Sequence, residues 1–151
     1  MSTAARVVAH AKLNLLLHVL DRRSDGYHDI ATWLVRLALG DDVVVRVRPS
    51  GRGVECRGAD VGPPERNLAL RAAEAYVEAA RWPAGFAIEI DKRIPVGGGL
   101  GGGSADAGAV LHGEVERAAR AAQINTFGGG VVEVLREIVA TAGLGMARQR
   151  R

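Results

Sequence analysis

Six of the seven residues from Gly97 to Gly103 are glycine, in the stretch PVGGGLGGGSADAG (95–108). So dense a run removes every Cβ that would hold a ligand away from the backbone, and it opens backbone angles closed to other residues. FAIEIDKRIP (86–95) enters the run with strand alternation, and SADAGAVLHGEVERAARAA (104–122) leaves it with helical composition. Strand, glycine loop and helix start together form an anion site, phosphate above all, because the first N–H groups of a helix lack partners within it. In this reading Ser104 caps the helix or offers its hydroxyl to a phosphate or to its Mg²⁺.

The spacing separates the known phosphate loops. Gly97, Gly99 and Gly102 fit G-x-G-x-x-G, but the dinucleotide fingerprint needs an acidic residue about twenty positions later, and ARAAQIN lies there instead. A P-loop needs lysine directly before its Ser/Thr, where this chain has Gly103. A flexible linker has the right composition, yet linkers rarely sit between an alternating strand and an immediate helix, which puts phosphate binding ahead.

The elements that must position this loop can be read from periodicity. Leu13, Leu15 and Leu17 alternate with Asn14, Leu16 and His18, predicting a strand over Arg6–Leu20. Asp25-Gly26 signals a turn into a second strand, IATWLVRLAL (30–39). Val43, Val45 and Val47 share one face of a third strand in DDVVVRVR, with GVECR pairing behind the PSGRG turn, so the first third reads as a β-meander. Leu68, Ala72, Ala75 and Ala79 then recur at helical steps after a proline pair. Val131, Leu135, Ile138 and Ala142 predict a last helix beyond QINTFGGG. The order implies an α+β fold.

Composition limits the function classes. At 151 residues and 48% hydrophobic, the chain is expected to form one domain, 1–151. Its net charge is only +3 and aromatics are 4%, too few to stack single-stranded nucleic acid, so nucleic acid is not the expected partner. No apolar run is long enough for a membrane span. Lys12, Asn14 and His18 interrupt the N-terminal apolar stretch, which makes a poor signal peptide, and a cytoplasmic location is expected. Cys56 is the only cysteine, so no internal disulfide is possible and it reads as a small buried or half-buried hydrophobe.

The loop, preceded by IDKRI, closely resembles the phosphate loop of the GHMP small-molecule kinases. AKLNLLLHVLDRRSDGYHDIATWL resembles the start of one branch of that family, and the resemblance runs from about Ala11 to Leu111. Members of that branch transfer the γ-phosphate of ATP to a hydroxyl of a cytidine-diphosphate-linked methylerythritol in non-mevalonate isoprenoid synthesis. The resemblance implies the family's N-terminal domain fold, with ATP and Mg²⁺ as cofactors and the cytidine-diphosphate compound as substrate. It makes Lys12 the catalytic lysine, able to stabilise charge on the moving phosphoryl group. Asn14 is implied to contact substrate, and Tyr27 and His28 to stack on and hydrogen-bond cytosine. Asn67 is implied near the adenine end of ATP. The ATP-binding stretch corresponds to Pro95, Val96, Gly97, Gly98, Gly99, Leu100, Gly101, Gly102, Gly103, Ser104 and Ala105.

The family's chain also has a second lobe with a catalytic aspartate, and this sequence has no aspartate after Asp106. Segment 112–151 is therefore expected to be atypical. A catalytically inactive, nucleotide-binding remnant of the kinase is the alternative expectation. Asp106 reads as a carboxylate in the first helical turn, favouring the macrodipole. His18 and His112 read as structural.

Overall fold

The computed structural model describes residues 4–80 and 84–121. Its elements are β1 (Ala4–Arg22), β2 (His28–Arg48), β3 (Arg52–Arg57), a 3₁₀ turn (Pro64–Arg66), α1 (Leu68–Ala80), β4 (Gly85–Asp91) and α2 (Gly102–Ala121). The helix expected over 131–142 lies outside the described residues. The four strands form one sheet in the order β1-β2-β4-β3.

Two expectations are corrected. The strands expected over 30–39 and 41–48 are one continuous β2, because β1 is long enough to pair with both halves. The first three strands are also not a meander: β4 inserts between β2 and β3, antiparallel to the first and parallel to the second. Ile90, Ile88 and Phe86 thereby face Val43, Val45 and Val47 in register. A parallel pair needs a crossover rather than a tight turn, and α1 supplies it between β3 and β4.

The core lies between this sheet and the two helices. Val43, Val45, Phe86, Ile88 and Ile90 from the strands meet Ala69, Leu70, Ala73 and Val77 from α1 and Ala109 and Val110 from α2. Cys56 packs partly buried against the same cluster, as expected.

β4 reaches β2 only over Asp42–Arg48, so the outer hairpin is a two-stranded ribbon beyond the sheet. Leu15, Leu17, Val19, Leu20, Ile30, Trp33 and Leu34 are exposed on it, Trp33 at 73%. The leucine alternation in β1 correctly marks a strand but not a buried face.

Where β3 ends, the chain turns at Gly58 with φ +88. Lys92 N–H donates to the Arg57 carbonyl at 2.8 Å, and a Cβ on Gly58 would fall inside contact distance of the Lys92 carbonyl oxygen. We expect Gly58→Ala to cost about 1–3 kcal/mol through left-handed strain and this clash. Thermal unfolding checks it, and an unchanged Tm would refute the packing described.

Candidate active site

The glycine loop joins the end of β4 to α2. Gly97, Gly99 and Gly101 have φ of +77, +70 and +72, a succession of left-handed residues that suits an anion-binding concavity. Gly101 is the N-cap: its carbonyl accepts the Ala105 N–H at 2.9 Å. The helix thus begins at Gly102, earlier than expected, and Ser104 is an exposed residue within its first turn rather than the cap. Of the four N–H groups at this end without partners inside the helix, three belong to Gly101, Gly102 and Gly103, which have no side chains, and the fourth to Ser104.

Lys12 lies across the loop. Its backbone N–H donates to the Leu100 carbonyl at 3.0 Å, and its Cγ and Cε stand 3.1 and 3.2 Å from where a Cβ on Gly101 would be. Its Nζ donates to Asn14 Oδ1 at 3.2 Å, so Lys12, Asn14 and the loop come together. A register jump in the sheet accompanies this arrangement. Pairing passes from His10↔Gly40 to Lys12↔Arg36, and His10 Nδ1 lies 3.0 Å from the Leu37 carbonyl oxygen inside the irregularity.

Pro95 through Gly103 line a cleft with Val61, Arg66, Asn67, Leu68, Lys92 and Asp106. Ala105 instead packs against the core. Asn67 caps α1, its Oδ1 accepting the N–H groups of Ala69 and Leu70 at 2.9 and 3.4 Å while its Nδ2 donates to Cys56 Sγ at 3.3 Å. It is therefore both a structural cap and a cleft residue. Tyr27 and His28 are not brought to the loop. They sit at the hairpin tip, beside the Arg22↔His28 pair, a strand path of roughly 30 Å from Lys12. His18 and His112 are exposed and take no part in the core.

Sequence reading missed the charges beneath the loop. Asp41, Lys92 and Asp106 are all buried, and the Lys92 ammonium donates to Asp41 Oδ2 and, at 2.9 Å, to Asp106 Oδ2. Asp41 Oδ1 also accepts the backbone N–H groups of Arg93 and Ile94 at 2.6 and 2.8 Å. Asp106 is thus an ion-pair partner in the second turn of α2, not the first-turn macrodipole residue expected. Strand parity carries a signal: Lys92 shares the face of Ile88, Ile90 and Ile94, and Asp41 that of Val43 and Val45.

Burial raises the Asp41 carboxyl, but hydrogen bonds from Ile94, Lys92 and Arg93 outweigh it and hold the group below the usual carboxylate range. Burial lowers Lys92, yet its two carboxylates more than compensate and keep it charged. Asp106 lacks the backbone donors that Asp41 has, so burial, helped by the Asp41 charge and opposed by Lys92, pushes it up to about 6.

Residues 67–116 match the GHMP kinases N terminal domain. Over 116 residues the chain is 45% identical to the 4-diphosphocytidyl-2-C-methyl-D-erythritol kinase of Desulfotalea psychrophila, a match covering 75% of this chain and 39% of that protein. The protein of the same name from Halorhodospira halophila is 47% identical over 103 residues, 68% of this chain and 36% of its own. A crystal structure of 4-(cytidine 5'-diphospho)-2C-methyl-D-erythritol kinase aligns with TM-score 0.64 and 40% identity, covering 93% of this chain and 49% of that one. Homoserine kinase from Cytophaga hutchinsonii aligns with TM-score 0.65 at 21% identity and shares the fold. The chain spans about two fifths of the length of these curated relatives.

The buried carboxylates oppose each other in their effect on stability. Asp41 titrates lower in the folded chain than its ordinary 3.8, so its contribution is present above that range and is lost only as pH falls through its lowered folded value. Asp106 is raised from 3.8 to about 6, so the folded chain takes up its proton first and loses stability as pH rises between these values. We expect the Tm of wild type minus that of Asp106→Asn to fall between about pH 4 and about pH 6 and to level off above. Melts across that range check it; a constant difference would contradict the raised carboxyl.

Proposed function

From the premise that the N-terminal part of this chain belongs to the GHMP kinase family, we propose that it binds ATP on the glycine loop and phosphorylates a hydroxyl of a cytidine-diphosphate-linked methylerythritol. The observation that carries this reading is Lys12 lying across Gly101 beside Asn14, within reach of phosphates held by the loop. The names of the relatives support the choice of acceptor.

In this reading the acceptor oxygen attacks the γ-phosphorus as the bond to the β-phosphate oxygen breaks, ADP leaves, and the hydroxyl proton is released. The Lys12 ammonium faces the reacting oxygens, stabilising the charge that spreads over the moving phosphoryl group and making the attacked alcohol more acidic. Asn14 holds that ammonium in place and hydrogen-bonds substrate. The N–H groups at the start of α2 fix the donor phosphates, and Asn67 borders the adenine end of the cleft. The Ser104 hydroxyl is the group the loop would offer Mg²⁺, which would supply neutralisation of charge on the donor phosphates. Among the described residues there is no group of three acidic, histidine or cysteine side chains that could hold a metal ion.

Tyr27 and His28 reach the acceptor's cytosine only if the ribbon bends toward the loop. Register irregularities between Asn14 and Leu16 and between Val19 and Arg22 give it places to bend. A second reading, a nucleotide-binding remnant without catalysis, is favoured by the exposed apolar ribbon. It keeps the loop and loses the acceptor side.

Thermal melting with Mg-ATP, the cytidylyl acceptor, and both, followed by a product assay, separates the two. A ligand at about a hundred times its Kd adds about 2.7 kcal/mol of stability. A kinase is stabilised and yields product; the remnant is stabilised by Mg-ATP alone and yields none. Lys12→Ala is expected to abolish phosphoryl transfer while leaving Mg-ATP affinity within a few-fold, measured by calorimetry. Unchanged turnover would remove Lys12 from the mechanism.

A further inference from the structure

The charges beneath the loop do more than fill the core. Asp41 of β2 fixes the chain leaving β4 through the N–H groups of Arg93 and Ile94, and the Lys92 ammonium ties that exit to Asp106 of α2. The same ammonium stands 3.1 Å from where a Cβ on Gly102 would lie, directly under the first turn of the helix. Both ends of the glycine loop are thereby held to one buried cation.

The cluster is not neutral. Two carboxylates share one ammonium, so a net negative charge lies below N–H groups that suit an anion. Asp106 Oδ1 is also buried, lacks a hydrogen-bond partner among the described residues, and belongs to a side chain that is 5% exposed and lines the cleft. The unmatched carboxylate charge therefore borders the space assigned to phosphates.

We propose that Asp41, Lys92 and Asp106 form a positioning triad for the loop, in which Asp41 and Lys92 hold the loop's two ends and the charge on Asp106 sets how strongly it retains a polyphosphate. This rests on the reading of the loop as a phosphate site. The groups facing Asp106 are Asp41 from β2, Lys92 at the exit of β4 and Cys56 from β3, whose thiol burial and the Asp106 charge push up. With an amide in place of the Asp106 carboxylate the triad carries no net charge and the loop is more attractive to anions.

The test is Mg-ATP binding to the full chain by calorimetry at about pH 8, for wild type, Asp106→Asn and Asp106→Glu. Asp106→Asn, which removes the charge, is expected to bind roughly five-fold more tightly, and Asp106→Glu, which keeps it, to stay within about two-fold of wild type. Binding by Asp106→Asn equal to or weaker than wild type overturns the role of Asp106 while leaving the phosphate site standing. No binding by any of the three proteins overturns the phosphate site and the triad's role together. Should Asp106→Asn not fold, Asp106→Ser removes the same charge and is read in the same way.

Discussion

Removing the Lys92 ammonium from water costs several kcal/mol unless opposite charge and hydrogen bonds replace the lost solvent. Asp41 and Asp106 supply them, and they can do so only with β2, the exit of β4 and the second turn of α2 in fixed relation. Asp41 adds two backbone acceptor contacts that turn the chain out of the sheet at Arg93 and Ile94. Six of the seven residues from Gly97 to Gly103 have no side chain with which to fix the loop's shape. Its conformation is imposed from its ends, and this buried ammonium is where the ends meet.

Lys12 adds a third anchor by a different means. Its N–H bonds the Leu100 carbonyl, so the middle of the loop is tied to β1 by backbone alone. The side chain then lies over Gly101, where a Cβ would crowd its methylenes. The dense glycine has two causes as a result: ligand approach on one side, and the close passage of Lys12 and Lys92 on the other.

Much of this was legible in the sequence where the signal is local. Alternation marked β4, helical spacing marked α1, and Asp25-Gly26 marked the hairpin turn, because each depends on residues a few positions apart. Strand order was not legible, since the partner of β3 arrives only after α1 and no local pattern encodes that pairing. The resemblance to a kinase family selected Lys12, Asn14 and the loop, which the fold brings together. The strand, loop and helix pattern offered Ser104 as a possible cap, but the helix starts earlier because Gly101 can adopt the left-handed angle that ends the loop. Lys92 escaped notice because IDKRIP reads as a charged strand end. Its parity with Ile90 and Ile94 places it inside, where a lysine demands carboxylates.

The hairpin that carries Lys12 divides into two physical regimes. At its base, pairing with β4, packing by α2 and the bond to Leu100 fix the strand; beyond Asn14, two strands bonded only to each other expose leucine, isoleucine and tryptophan on a ribbon. An isolated two-stranded ribbon is marginally stable in water, and exposed apolar area of this kind is the usual mark of an interaction surface. The elements assigned to the donor phosphates are therefore the rigid ones, and those assigned to the acceptor's base are the compliant ones. Phosphoryl transfer needs both regimes in register, because its rate depends on positioning the acceptor oxygen in line with the phosphorus as much as on holding the phosphates.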